Sequence, residues 1–153
     1  MSEPMNDQEN VDAMVAVLCD HYVNEVYVAN RAAINFVNHF GLNLQTAVLL
    51  RRIAANKGIT VSQLTKETPF SMSVVSTQIG KLLKDDQVEM KTTADDRRTK
   101  LVFLTNKGVR LHHKIEKSIR ESVESLGDTI STEKIDDAIK LIEQLGASLP
   151  TFE

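Results

Sequence analysis

Tryptophan is absent from the 153 residues, and proline (3) and glycine (6) are scarce. That composition excludes collagen-like and low-complexity chains and favours one helix-rich globular domain of ordinary size. The single cysteine, Cys19, has no partner for an intramolecular disulfide, so the fold is not expected to depend on oxidation. No apolar run approaches the ~20 residues of a membrane span. The opening residues, MSEPMNDQEN, lack the basic and apolar regions of a secretory signal. A soluble, cytoplasmic protein without membrane contact is expected. Also missing are a glycine-rich phosphate loop, a nucleophile elbow and a carboxylate pair at acid–base spacing, so neither enzymatic activity nor a cofactor is expected.

What is present is an uneven charge. The net charge is -3, but residues 1–40 hold one base, Arg31, against six acids, and residues 41–107 hold eleven bases against six acids. Residues 108–153 return to an acidic balance, six bases against nine acids. A basic middle between acidic ends points to one face for a polyanion and another for a different purpose.

From Val11 to Phe40 there is no proline or glycine, and apolar residues recur at helical spacing from Val11 and Val15 to Val37 and Phe40. Met14, Val17, Val28 and Ile34 lie off that stripe, so this helix is expected to pack against two things, its own domain and a partner chain. Gly41 ends it. A second helix carries Leu44, Ala47, Val48, Leu50, Ile53 and Ala54 and closes at Lys57-Gly58. Thr60, with Gln63 placed for a capping box, opens a short third helix. Ser71 caps a fourth whose inward stripe is Val75, Ile79 and Leu82. The period then changes. Val88–Thr92 and Thr99–Leu104 read as strands, joined by the polar turn Thr93–Arg98, the ribbon of a wing behind a helix-turn-helix. Thr105 caps a fifth helix; Ser131 caps a sixth, which Gly146 is expected to end. The fold class is therefore mainly α with a small two-stranded β wing.

If Val75, Ile79 and Leu82 face the core, Ser73, Ser76, Thr77, Gly80, Lys81 and Lys84 face outward. Hydroxyls and a glycine let a helix settle into a major groove, where Ser and Thr bond bases or phosphates. Gln78 at the edge suits adenine, and Lys81 suits a phosphate. At the turn Asp95-Asp96-Arg97-Arg98, guanidinium groups on a narrow hairpin can enter a minor groove. Arg98 is the choice for insertion, Asp96 for bracing it and Arg97 for a phosphate.

The stretch DDRRTKLVFLTNKG (95–108) resembles the wing signature of the MarR family of transcription regulators, through Asp96, Arg98, Val102, Leu104, Thr105 and Gly108. SMSVVSTQIGKLL (71–83) is similar to that family's recognition helix, and the resemblance runs from about residue 11 to 147. It implies one domain over 1–153, with 11–40 and 106–147 as dimerisation helices around a winged helix-turn-helix lobe at 42–105. It further implies a homodimer on a pseudo-palindromic operator in double-stranded DNA, acting as a repressor released by a small-molecule effector from a crevice beside the dimerisation helices. Two recognition helices would then lie about 34 Å apart. The implied DNA contacts are Thr60, Ser71, Ser73, Ser76, Thr77, Gln78, Lys81, Asp96, Arg97, Arg98 and Lys100. Two departures stand out: Thr77 occupies a position where many members carry Arg, and Asp86 one where a glycine usually ends the helix.

For an effector, the first helix offers Cys19, Tyr22, Val26, Arg31, Asn35 and His39, together with part of the second helix, and Arg31 is suited to an anion. Two alternative readings remain open. Cys19 has the position of the sensor thiol in some redox-responsive relatives, but Asp20 beside it works against a lowered thiol pKa. The acidic pI of 5.8 suits a winged helix used for protein contacts with weak DNA binding. His112 and His113, adjacent on a helix, point about 100° apart, and no metal is expected.

Overall fold

The computed structural model describes residues 7–92, 99–127 and 130–148, with Tyr22, Val23 and Ser148 described in their backbone alone. These residues fall into two compact units, 1–112 and 113–153. The first contains α1 (Asp7–Val17), a π-helical stretch (Leu18–Tyr22), α2 (Val23–His39), α3 (Leu44–Ala55), β1 (Ile59–Thr60), α4 (Val61–Lys66), α5 (Met72–Lys84), β2 (Val88–Thr92), β3 (Lys100–Leu104) and the start of α6 (Asn106–Leu126). The second contains the rest of α6 and α7 (Thr132–Ser148).

The core of the first unit follows the apolar stripes of the sequence. Leu49, Leu50 and Ile53 of α3, Leu64 of α4, and Val75, Ile79 and Leu82 of α5 are all at or below 1% exposure, together with Val102 of β3. Ile59 and Val88 close the same core from the sheet. Each such side chain stabilises the lobe by about 1.5–3 kcal/mol relative to exposure. The core is therefore the helix-turn-helix and its sheet.

That sheet is antiparallel in the order β1-β3-β2, so the two expected strands are joined by a third, very short one. Ile59 pairs with Val102 and Thr60 with Leu101, which ties the start of α4 to the ribbon. The ribbon register is Val88 with Leu104, Met90 with Val102 and Thr92 with Lys100. Alternation puts Val88 and Val102 inside and leaves Glu89 and Lys91 outside, ion-paired at 2.7 Å. Lys91 also lies 5.3 Å from the Phe103 ring centroid.

Helix ends follow their cap chemistry. Asn43 and Thr46 form a capping box on α3, and Thr60 and Gln63 form the expected one on α4. Ser71 accepts from Val74 N–H, and Ser131 from Lys134 N–H. At the far end of α5, Asp86 N–H donates to the Leu83 carbonyl and Gln87 N–H to the Leu82 carbonyl. This is a Schellman motif, and Asp86 holds its left-handed position at φ +56°. Thr105 then bridges the two helices: its hydroxyl donates to the Asp86 carbonyl at 2.7 Å and accepts from Gly108 N–H.

Three expectations are corrected. The first helix is interrupted by a π-helical turn at Leu18–Tyr22; i→i+5 bonding leaves no mark in apolar spacing over so short a stretch. Gly146 lies inside α7, which runs on to Ser148, because the apolar series through Leu145 carries the helix past a residue of modest penalty. β1 has only two residues, too few for alternation to show in the sequence.

Candidate nucleic-acid interface

The outward side of α5 is the surface the sequence singled out. Ser73, Ser76, Thr77, Gly80, Lys81 and Lys84 are all exposed, while Val75, Ile79 and Leu82 of the same helix are buried. A Cβ placed on Gly80 would meet nothing within 4 Å, so the middle of this face is open and low. Short hydroxyls on either side of a bare backbone, with two lysines toward the C-terminal end, make a surface that admits another backbone closely and offers donors to anions.

Gln78 is not on that face. It is 5% exposed, and its amide is occupied within the fold: Asn43 Nδ2 donates to its Oε1 at 3.1 Å, and its own Nε2 donates to Gln45 Oε1 at 2.9 Å. The expected contact with adenine is corrected accordingly. At 100° per residue, position 78 falls about 40° from buried Leu82 and about 60° from buried Val75, but about 100° from Thr77, so the side chain turns inward and takes its partners from α3.

The hydroxyls of Thr60 and Ser71 serve as helix caps, which fixes their direction. Thr60 shares a shallow cleft of about 360 Å³ with Val61, Ser62, Thr99 and exposed Lys100. The structure thus brings Thr60 and Lys100 together at the end of the ribbon nearest the turn. Asp96, Arg97 and Arg98 lie outside the described residues.

A second feature lies where α2 meets α3. Ile34, Asn38, Asn43, Leu44, Gln45, Val48 and Phe70 line a crevice of about 610 Å³. Its walls are apolar apart from three amide side chains, and no lining residue carries a charge. Arg31, Asn35 and His39 are exposed and are not among its lining residues, nor is Cys19, which is exposed on the π-helical turn. The Tyr22 side chain lies outside the described residues. Sequence reasoning missed Asn43 and Phe70; the pattern Gly41-Leu42-Asn43 followed by Thr46 was the available sign of the cap.

Residues 40–99 match the family model of the MarR family. This segment of the chain is similar to the MarR family. Solved structures repeat its fold. One MarR family transcription regulator superposes with a TM-score of 0.72 at 15% identity, over 92% of this chain and 91% of that one. The PcaV regulator of Streptomyces coelicolor, solved with its natural ligand, gives 0.68 at 15% identity, over 86% and 95%. A MepR variant of S. aureus bound to an oligodeoxyribonucleotide gives 0.60 at 18% identity, over 84% and 96%. No curated protein matches the chain by sequence. Among the described residues, no helix is long and apolar enough to cross a membrane.

Proposed function

We propose that this protein is a homodimeric transcription regulator, acting as a repressor, that binds a pseudo-palindromic site in double-stranded DNA. The observation that carries the reading is the exposed side of α5, with Ser73, Ser76, Thr77, Lys81 and Lys84 around the open Gly80. A helix of this profile enters a major groove by its small residues, and its hydroxyls reach base edges or phosphates. The turn at 95–98 reaches the flanking minor groove, with Arg98 inserted, Asp96 bracing it and Arg97 on a phosphate. Thr60 and Lys100 hold the backbone between the two. The MepR variant crystallised with an oligodeoxyribonucleotide supports this reading at the level of fold.

Dimerisation is supported by apolar surface. Val11, Met14, Val15, Val17, Val26, Tyr27, Val28 and Ile34 of the N-terminal helices are all exposed, as are Ile135, Ile139, Leu141 and Ile142 of α7. Faces this apolar are ordinarily covered. An effector enters the crevice at Ile34, Asn38, Asn43, Leu44, Gln45, Val48 and Phe70, and releases DNA by favouring one arrangement of the lobes. The uncharged lining suits a neutral aromatic molecule with hydrogen-bonding groups better than the anion for which Arg31 was suggested.

Titration of full-length protein into labelled duplex at several salt concentrations tests the reading. Binding that weakens steeply with salt, and a dimer by analytical ultracentrifugation, are the expected results. A monomer indifferent to DNA would end it.

A further inference from the structure

Buried amides in a core are rare because each unpartnered donor or acceptor costs about 1–3 kcal/mol. Gln78 sits at such a position, and both ends of its amide are bound to side chains more than thirty residues away. Its two partners occupy the first turn of α3, a place with little slack. Leu42 is buried, and its N–H donates to the Val37 carbonyl of α2. Asn43, the next residue, caps α3: its Oδ1 accepts from Thr46 N–H at 2.8 Å. Two helix ends are thus set back to back with one buried residue between them, and the side chain closing that joint is the one that holds Gln78.

Gln78 is flanked on the exposed side by Ser76 and Thr77 and followed by Lys81. Moving it changes the direction of that whole side of α5. An apolar residue of similar size would fill the same space with no preferred direction, since hydrophobic packing is not directional while hydrogen bonds are. Asn43 and Gln45 also line the crevice between α2 and α3. One hydrogen-bonded chain of three amides therefore runs from the crevice wall through the α2–α3 joint to the recognition helix.

We propose that Gln78 is a positioning residue for sequence recognition, setting the orientation of α5 through Asn43 and Gln45 without touching DNA. The proposal rests on the reading of the protein as a DNA-binding regulator. Its consequence is a separation of two quantities. Lysine and arginine contacts to phosphates give affinity for any duplex and its salt dependence; accurate placement of α5 gives discrimination.

The test uses full-length wild type and Gln78→Leu, with a duplex recovered by repeated selection of wild type on a random pool and with an unselected duplex. In the Leu variant, preference for the selected duplex should fall about tenfold, the order expected for two lost hydrogen bonds. Affinity for the unselected duplex, its salt slope and the thermal midpoint should change little. Gln45→Leu should reproduce the loss in part and add nothing in the Gln78→Leu background, as members of one network do. Asn43→Ser keeps a cap on α3 but removes the arm to Gln78, and should also lower the preference. Full preference in both Gln78→Leu and Asn43→Ser, with wild type selective, would overturn the positioning role and leave DNA binding standing. Failure of wild type to enrich any duplex would overturn the DNA-binding reading itself, and the inference with it.

Discussion

Gly108 shows how one residue type can be dictated by a single neighbouring atom. A Cβ at this position would overlap the Gln87 carbonyl oxygen, which already accepts from Thr105 N–H. Gly108→Ala should therefore force α6 away from the end of α5 and destabilise the fold by about 1–3 kcal/mol in urea unfolding. The opposite sign is expected at Asp86. Its φ of +56° is strained for a residue with a Cβ, and its carbonyl rather than its side chain bonds Thr105. Asp86→Gly should raise the unfolding free energy by about 1 kcal/mol, seen as a higher urea midpoint with the slope unchanged. The cap at Thr105 was legible in the sequence because cap chemistry is local, whereas the left-handed position at Asp86 was expected only from the family resemblance. The inward turn of Gln78 was not legible, because what decides it is a pair of partners on another helix.

At the scale of elements, apolar spacing placed the buried stripe of α5, and with it the exposed face, because Val75, Ile79 and Leu82 leave only one way to turn the helix. Ser76→Glu should abolish sequence-specific DNA binding with no change in thermal midpoint, since a carboxylate on this exposed position meets the groove and touches nothing in the fold. Retained preference in an anisotropy titration would mean that another face reads DNA. Arg98→Ala should weaken binding by about 1–3 kcal/mol while the protein stays folded. The ribbon behind that turn was visible as a period-two alternation. The short β1 and the π-helical turn were not, because two residues and five residues are below the length at which a period can be read. A crevice between the first and second helices was expected but its lining was not, since Ile34, Asn43 and Phe70 are brought together by the joint of α2 and α3 and by the segment ahead of α5, not by any spacing in the chain.

Over the whole molecule, the division of charge and the division of apolar exposure run in parallel. The basic middle third is the winged helix; the acidic ends are the helices that leave apolar side chains on the surface. α1 has no buried residue at all, and Ile135, Ile139 and Ile142 of α7 lie open along one side. Ile139→Glu should shift sedimentation toward monomer and weaken DNA binding with it, because a single winged helix engages only one half of a two-fold site. We propose that this surface division serves a protein that grips DNA by its basic middle. It is tested most directly by the salt dependence of wild-type affinity for duplex DNA. The account predicts that log affinity falls linearly with log salt, with a slope of about -0.9 for each phosphate neutralised, and that Lys81→Ala lowers the slope by about one. An affinity indifferent to salt would contradict it.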